Sequence, residues 1–313
     1  MPLNINTNTA ASSASYYLSK NNAALQKSLT RLSSGNRITQ PADDAGGLAV
    51  SMKLSGTISR LSGVEKNIDN AISFLQVQDG VLNAAGQIMD RMAELKALSQ
   101  DVLKNSSDIE NYNAEFKNLQ VQLFQMSETK FNGVSLFGAG ASAVFGGTAV
   151  QDVTVSIFTS ATGESGSLVS INKSMLLSAL TIQSGDTDLS SVSHTSATNA
   201  GAAGSAGNFT FAVSTSAGAM TLDKVSVAVF TQALQNIATL RAENGGSVSR
   251  LQFSKDAAVS QRTNLEAANG RIMDVDIASE STTLAKFNIL VQASASMLSQ
   301  ANVTPNVALM LIN

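Results

Sequence analysis

The sequence predicts a mainly α-helical protein with a smaller β part. Its N- and C-terminal helices pair into a long antiparallel coiled coil and helical bundle, and a β-hairpin-rich excursion occupies the centre of the chain. Three observations predict this. Heptad stripes of apolar residues stand in both halves, the hydrophobic period changes in the middle, and charge is distributed almost as a palindrome. The first 40 residues carry Lys20, Lys27, Arg31 and Arg37 and no acid, and the last 33 carry only Lys286. Residues 138 to 222 hold five charges in a stretch rich in Gly, Ala, Ser and Thr. Ordinary charge density is confined to about 53–131 and 223–280.

The first charged block gives the clearest helices. Leu61, Ile68, Leu75, Leu82 and Met89 recur every seven residues, supported by Ile58, Val64, Ile72 and Met92. One narrow apolar stripe on a long helix is the geometry of a coiled-coil seam. Ile109, Tyr112, Phe116, Leu119, Leu123 and Met126 predict a second helix, with Ser107 or Asp108 as its N-cap. After "TKFNGVSLF" the period becomes two. Asn132-Gly133 signals a tight hairpin turn, and "DVTVSIF" and "SLVSI" read as short strands. Residues 193–207 are small and polar and read as an exposed loop, and "NFTFAVS" as one more strand. Helix returns from about 223 with Val227, Phe230, Leu234, Ile237 and Leu240. "ENGG" predicts a bend, and Leu251, Ala258, Leu265 and Ile272 resume the heptad. The pattern divides into residues 1–45 with 275–313 as a terminal coiled-coil domain, 46–180 with 223–274 as a helical bundle with β-hairpins, and 181–222 as a small variable surface region.

Residues 1–33 and 281–313 read as helices with apolar side chains on more than one face and few charges, which require burial nearly all round. One pair of ends therefore cannot bury itself, and the expectation is that they fold when other copies surround them. "SSGNRITQPADDAGG", residues 33–47, separates this region from the bundle helix. Asp43 or Asp44 caps the second helix, while Gly35 and Gly46-Gly47 let the chain turn. The alternative is an ordinary interhelical loop of a monomeric bundle.

Several chemistries find no support. The net charge of −3 offers no basic excess for nucleic acid, and no segment is long and apolar enough to span a bilayer. The N-terminus lacks a basic segment followed by an apolar run, so no standard secretory signal is expected. There is no cysteine, His194 is the lone histidine, and HExxH, GxSxG and GxxxxGK[ST] are absent. The acid pairs Asp43-Asp44 and Asp274/Asp276 read as helix caps and solvated faces. The expectation is a protein with no catalytic residue, metal or cofactor.

The ordered motifs at both ends resemble the bacterial flagellin family. They are "LSSGNRITQPADDAGGLAV", "DGVLNAAGQIMDRMAELKALSQD" and "TKFNGVSLF", then "NLEAANGRIMDVDIASESTTLAKFNILVQASASMLSQANVTPNVALMLI". The resemblance covers about 1–137 and 225–313. It implies a structural subunit that is exported unfolded by the flagellar type III apparatus and polymerises with itself beneath a cap at the distal tip of an extracellular filament. It further implies an export chaperone and hook-junction proteins as partners. By the same resemblance, Leu18, Leu25, Leu32, Leu284, Phe287, Leu290 and Met297 pack in the inner tube, and Gly35, Arg37, Pro41, Asp43, Asp44 and Gly46 form the interdomain linker. Arg91, Glu94 and Leu95 match the segment that many flagellins use between protofilaments and that, in some, an animal Toll-like receptor binds. Asp90 and Lys96 depart from the residues usual there, Gln and Ala. Similar alternatives are a hook–filament junction protein, which shares the paired ends, and a secreted adhesin or immune ligand displaying the central loop. The "QANVTP" close and "TKFNGVSLF" favour the filament subunit.

Overall fold

The computed structural model describes residues 8–138, 154–183, 198–199 and 208–312. The predicted loop 193–207, with His194, lies outside the described residues except for Thr198 and Asn199. Six α-helices are present among the described residues: α1 (Thr9–Ser34), α2 (Ala45–Ser99), α3 (Ser106–Ser127), the single turn α4 (Leu176–Ala179), α5 (Val227–Met273) and α6 (Ile277–Ile312). The strands are β1 (Lys130–Phe131), β2 (Val134–Ser135), β3 (Thr154–Phe158), β4 (Leu168–Asn172), β5 (Thr181–Gln183), β6 (Thr198–Asn199) and β7 (Asn208–Thr210). The chain forms two units, one of Met1–Ser59 with Gln261–Asn313 and one of Arg60–Ser260, so α2 and α5 each run through both.

The larger unit owes its core to the α2 heptad. Leu61, Ile68, Leu75, Leu82 and Met89 are all fully buried, as are Met92 and Leu95. Helix α5 lies antiparallel along them: Lys255 Nζ binds Asp69 at 2.6 Å, Asn244 Nδ2 donates to the Leu75 carbonyl at 2.8 Å, and Arg241 Nε donates to Asp79 at 2.9 Å. Helix α3 adds Phe116 and Leu123 to the core, with the Phe116 ring edge-on to Phe230 of α5.

The N-cap of α3 is Asn105 rather than Ser107 or Asp108. Its side chain accepts from the Asp108 amide at 2.9 Å, while the Asp108 carboxylate accepts from the Asn105 amide at 3.3 Å. Asp108 is thus the third-position partner of a reciprocal capping box, which satisfies two otherwise orphaned donors. The chain is also not interrupted at "ENGG", since α5 is continuous through Gly245 and Gly246. Two helical glycines cost only about 1 kcal/mol each relative to alanine. Burial of Leu240, Asn244 and Leu251 against α2 outweighs that. Helix α6 likewise continues past Pro305.

Among the described residues the central excursion is built from two two-stranded ladders, β1–β2 and β3–β4, and one three-stranded sheet of order β6–β5–β7. Asn132 and Gly133, at φ 49° and 81°, form the left-handed turn between β1 and β2. Strands β3 and β4 pair over five residues, from Thr154↔Asn172 to Phe158↔Leu168, and turn Val169 and Ile171 into the core. Strand β5 pairs with both β6 and β7. The region 181–222, expected to be surface-exposed, contributes core at its two ends: Thr181, Ile182, Phe211 and Leu222 are buried, and the Phe211 ring stacks on Phe230 at 5.1 Å.

Truncating this seam tests the packing. Leu82→Ala is expected to cost about 2–5 kcal/mol of unfolding free energy in denaturant titrations, because the cavity is closed on all sides. Phe253→Ala, at a side chain 76% exposed, should stay within about 0.5 kcal/mol of the parent chain.

Candidate functional site

The smaller unit is organised differently. Along α1, Ala14, Leu18, Asn21, Leu25, Ser28 and Leu32 fall on one heptad stripe, and along α6 Leu284, Phe287, Val291, Ser294 and Leu298 fall on another. The two stripes meet. Asn21 Nδ2 donates to Ser294 Oγ at 3.0 Å and Asn8 Nδ2 donates to the Ala301 carbonyl at 2.8 Å, while Arg31 faces Glu280 at 3.9 Å. These pairings make the helices antiparallel, and the polar Asn21–Ser294 pair within an apolar seam fixes their register.

Two helices can hide only one stripe each. On α1 and the described side chains of α6 the only residue that becomes fully buried is Ser28; Leu18, Leu25, Leu32, Leu284, Phe287 and Leu290 are half-buried. Tyr16, Tyr17 and Leu29 of α1 and Ile289, Met297 and Val303 of α6 remain exposed. Met297, 66% exposed, stands off the α1 seam altogether. Helix α6 carries only Glu280 and Lys286 as charged residues over its whole length. An apolar, nearly uncharged surface of this extent marks a site of association.

The predicted linker is ordered, and it is held against the break between α5 and α6. Gly35 ends α1 at φ 72°, a left-handed conformation that favours glycine. The following residues lie beside the α5–α6 junction: the Arg37 amide donates to the Met273 carbonyl at 2.6 Å, and the Val275 amide donates to the Gly35 carbonyl at 3.0 Å. Asn36 and Asp274 thereby form an antiparallel bridge. The Arg37 guanidinium donates twice to the Ile272 carbonyl, at 2.9 and 3.2 Å, and lies 3.8 Å from Asp44. Ile38 is buried. Asp276 caps α6 through the Ala278 and Ser279 amides. No sequence motif announced the backbone pairing of Asn36 with Asp274, because it uses no side chain.

The two adjacent acids have separate tasks. Asp44 is the N-cap of α2, accepting from the Gly47 amide at 2.8 Å. Asp43 accepts from Lys27 at 2.5 Å and from the amide and hydroxyl of Thr39, both at 3.2 Å. The Lys27 hydrogen bond comes first among the interactions that hold the Asp43 carboxyl down to about 2 from its ordinary 3.8, and the Thr39 bonds act with it. Gly47 has no room for a Cβ, which would come within 2.9 Å of Ile38 Cδ1 and closer still to the Asp44 carboxylate. Pro41 and Gly46 are exposed in the turn and the first turn of α2.

The Arg91 segment is brought together only in part. Arg91 bridges Glu94 at 2.8 Å and, with two nitrogens, Glu115 of α3 at 2.8 and 3.2 Å. Leu95, grouped with them in the sequence reading, is fully buried in the α2 seam, so of these three only Arg91 and Glu94 present surface. Among the described residues no three His, Asp or Glu side chains are placed to hold a metal ion, and no helix is long and apolar enough to cross a membrane.

Comparison with known proteins places these features in a family. Residues 5–141 match the family model for the bacterial flagellin N-terminal helical region, and residues 227–312 that for the bacterial flagellin C-terminal helical region. The chain is 31% identical to a flagellin of Listeria monocytogenes and 31% identical to a flagellin of Bacillus subtilis, in each case over 99% of this chain and 100% of the relative. It is 30% identical to a flagellar filament 30.7 kDa core protein of Treponema maltophilum, over 95% of both chains.

Two measurements test the linker. The folded value of Asp43 lies below the unfolded one, so its contribution to stability is present above about pH 4. It is lost as pH falls from about 3.8 toward 2. An NMR titration of the monomer should find the Asp43 carboxyl titrating near 2, and Asp43→Asn should flatten the acid limb of the unfolding curve. A midpoint near 3.8 would contradict the Lys27 clamp. Gly47→Ala should push Ile38 out of its site, lower stability by about 1–3 kcal/mol, and open residues 33–47 to limited proteolysis that the parent chain resists.

Proposed function

The chain belongs to the bacterial flagellin family, a family of structural filament proteins and not of enzymes, and we propose from that premise how it assembles. It is a structural subunit of the flagellar filament. In the proposed mechanism the α1–α6 pair is the polymerising element. The observation that carries this reading is the unpartnered apolar surface of α1 and α6, where only a serine is fully buried among the described side chains. Burying Tyr16, Tyr17, Leu29, Ile289 and Met297 against neighbouring copies returns roughly 1.5–3 kcal/mol for each side chain that becomes fully dry. Leu18, Leu25, Leu32, Leu284, Phe287 and Leu290 then serve the seam within one copy and the walls of the inner tube together, while Met297 serves contacts between copies.

The rest of the proposal follows from family membership and the chain's chemistry. The subunit is exported unfolded by the flagellar type III apparatus with its chaperone, and added at the tip beneath the cap, beyond the hook-junction proteins. A chain without cysteine threads a channel without disulfide traps. The terminal helices order on incorporation, and the Gly35–Gly46 linker, stitched to Ile272–Val275, sets their direction as they do so. Arg91 and Glu94, tied to Glu115, supply the polar part of a protofilament contact. An animal Toll-like receptor meeting this segment would find that same ion-paired surface without Leu95.

Assembly is testable with purified chain and sonicated polymer seeds. The full-length chain should elongate seeds into uniform tubes seen by negative-stain electron microscopy. A chain truncated before residue 281 should remain a helical monomer that adds to no seed. Full-length chain that stays monomeric beside competent seeds would overturn the filament reading. A truncated chain that elongates them would remove α6 from it.

A further inference from the structure

The larger unit carries two surface features that its fold does not use. The turn between α2 and α3 presents Val102 and Leu103 at 96% and 92% exposure. It is an ordered turn: the Leu103 amide donates to Asp101 Oδ1 at 3.0 Å, the Lys104 amide donates to the Asp101 carbonyl at 3.2 Å, and the Asn105–Asp108 capping box follows at once. Two adjacent aliphatic side chains are therefore held out in water by a well-bonded backbone. The second feature is an open groove of about 340 Å³ where α2 meets the β1–β2 and β3–β4 hairpins. Phe74, Phe131, Val155 and Ile157 line it, and the half-exposed Val134 stands at its edge. Asn67, Asn70 and Asn132 also border it. Apolar centre and uncharged polar border are the anatomy of a protein interface.

We propose that the Val102–Leu103 turn of one copy docks in this groove of the next copy, giving the filament a head-to-tail contact through the larger unit. The inference rests on the assembly reading above. Three arguments select the occupant. First, the groove is centred near residue 71 of α2 and the turn lies just past the end of the same helix, about 45 Å away at 1.5 Å per residue. Knob and groove cannot meet within one chain. Second, they are different surfaces at different heights on one rod, so their union is heterologous. A shift along α2 repeats it without closure, as a filament strand requires. Third, two side chains in a groove bury far less than the roughly 1,000 Å² of a stable free-standing interface. The contact is thus silent in dilute monomer and acts once the terminal helices hold neighbours in place. Phe253, the other strongly exposed apolar side chain of this unit's helices, is excluded as the knob of such a strand. The Lys255–Asp69 bond places it level with the groove, without the shift along α2 that the strand needs.

The absence of cysteine makes the test direct. A Leu103→Cys/Val134→Cys chain is polymerised on wild-type seeds and treated with a short bis-maleimide, which cannot span the two sites within one copy. A ladder of dimers, trimers and higher multiples on a denaturing gel is expected from polymer and not from monomer, with no ladder from either single variant. Polymer that yields no ladder would overturn the proposal, and a product that stops at dimers would replace it with a two-fold contact. Val102→Ser/Leu103→Ser should leave monomer unfolding unchanged and raise the critical concentration for seed elongation at least tenfold. Growth of that variant at the parental critical concentration overturns the proposal on its own, and it decides the matter should the cysteine pair block growth. Wild-type chain that fails to elongate seeds would instead overturn the assembly reading itself.

Discussion

A helix pair can dry one stripe on each partner and no more, and the organisation of this chain depends on that limit. In the larger unit α2 is covered by α5, α3 and the hairpins together, so its heptad from Leu61 to Met89 is sealed. In the smaller unit α1 has only α6, and its leucines stay half-wet. The same kind of heptad thus yields a self-sufficient core in one place and an unfinished one in the other. The number of packed neighbours separates them, since the apolar content of α6 exceeds that of its counterpart in the finished core. Removal of charge from α6, leaving Glu280 and Lys286 alone, has the same direction: a surface that avoids charge is stable in contact with protein, and unstable in permanent contact with water.

An unfinished helix pair must still be aimed, and the paired breaks do this. A single flexible loop after α1 would let the helix sample many directions. Here the strand-like step from Gly35 to Ile38 lies against Ile272–Val275, with backbone bonds in both directions and the Arg37 side chain as a third tie. Both helical branches are interrupted where they are hydrogen-bonded to each other, so the α1–α6 pair is tied at its base as one object. The Lys27–Asp43 and Asp44–Gly47 contacts then fix the last turn before α2. Closely spaced Gly, Pro and Asp in this stretch produce an ordered corner, in which Gly35, Asp43, Asp44 and Gly47 each have a separate geometric task.

What could be read from sequence was whatever repeats along one element. The Leu61–Met89 heptad, the Asn132-Gly133 turn and the alternation of Val169 and Ile171 are local periodicities, and local sterics and burial enforce them. The misjudged features depend on distant partners. "ENGG" looks like a bend because glycine is a weak helix former, yet burial of Asn244 beside Leu75 carries the helix through. Asn105 lost to Ser107 in the reading because a cap is decided by which side chain reaches the free amides, and composition alone does not say. Thr181 and Phe211 stand near the ends of a region read as surface, and tertiary packing, which for Phe211 is the stack on Phe230, makes them core. The Asn36–Asp274 bridge is a backbone pairing across more than two hundred residues, which no side-chain pattern records.

The central excursion is attached by a means that leaves its own sequence largely free. Buried polar side chains on the helices reach out to its backbone. Gln78 donates to the Leu136 carbonyl at 2.6 Å, Asn236 donates to the Ala179 carbonyl at 3.0 Å, and Lys96 donates to the Leu222 carbonyl at 2.7 Å. Gln120 grips Met220 at both its carbonyl and its amide. A buried amide or ammonium is costly unless bonded, so each of these side chains enforces a position on the segment it holds. What it recognises is a peptide group, which nearly every residue possesses. The helices therefore dictate where the excursion leaves and re-enters the core, whatever side chains it carries at the peptide groups they hold. A subunit that must keep one invariant packing surface while exposing another gains from this separation, because change in the outer segment is not transmitted to the α2–α5 seam.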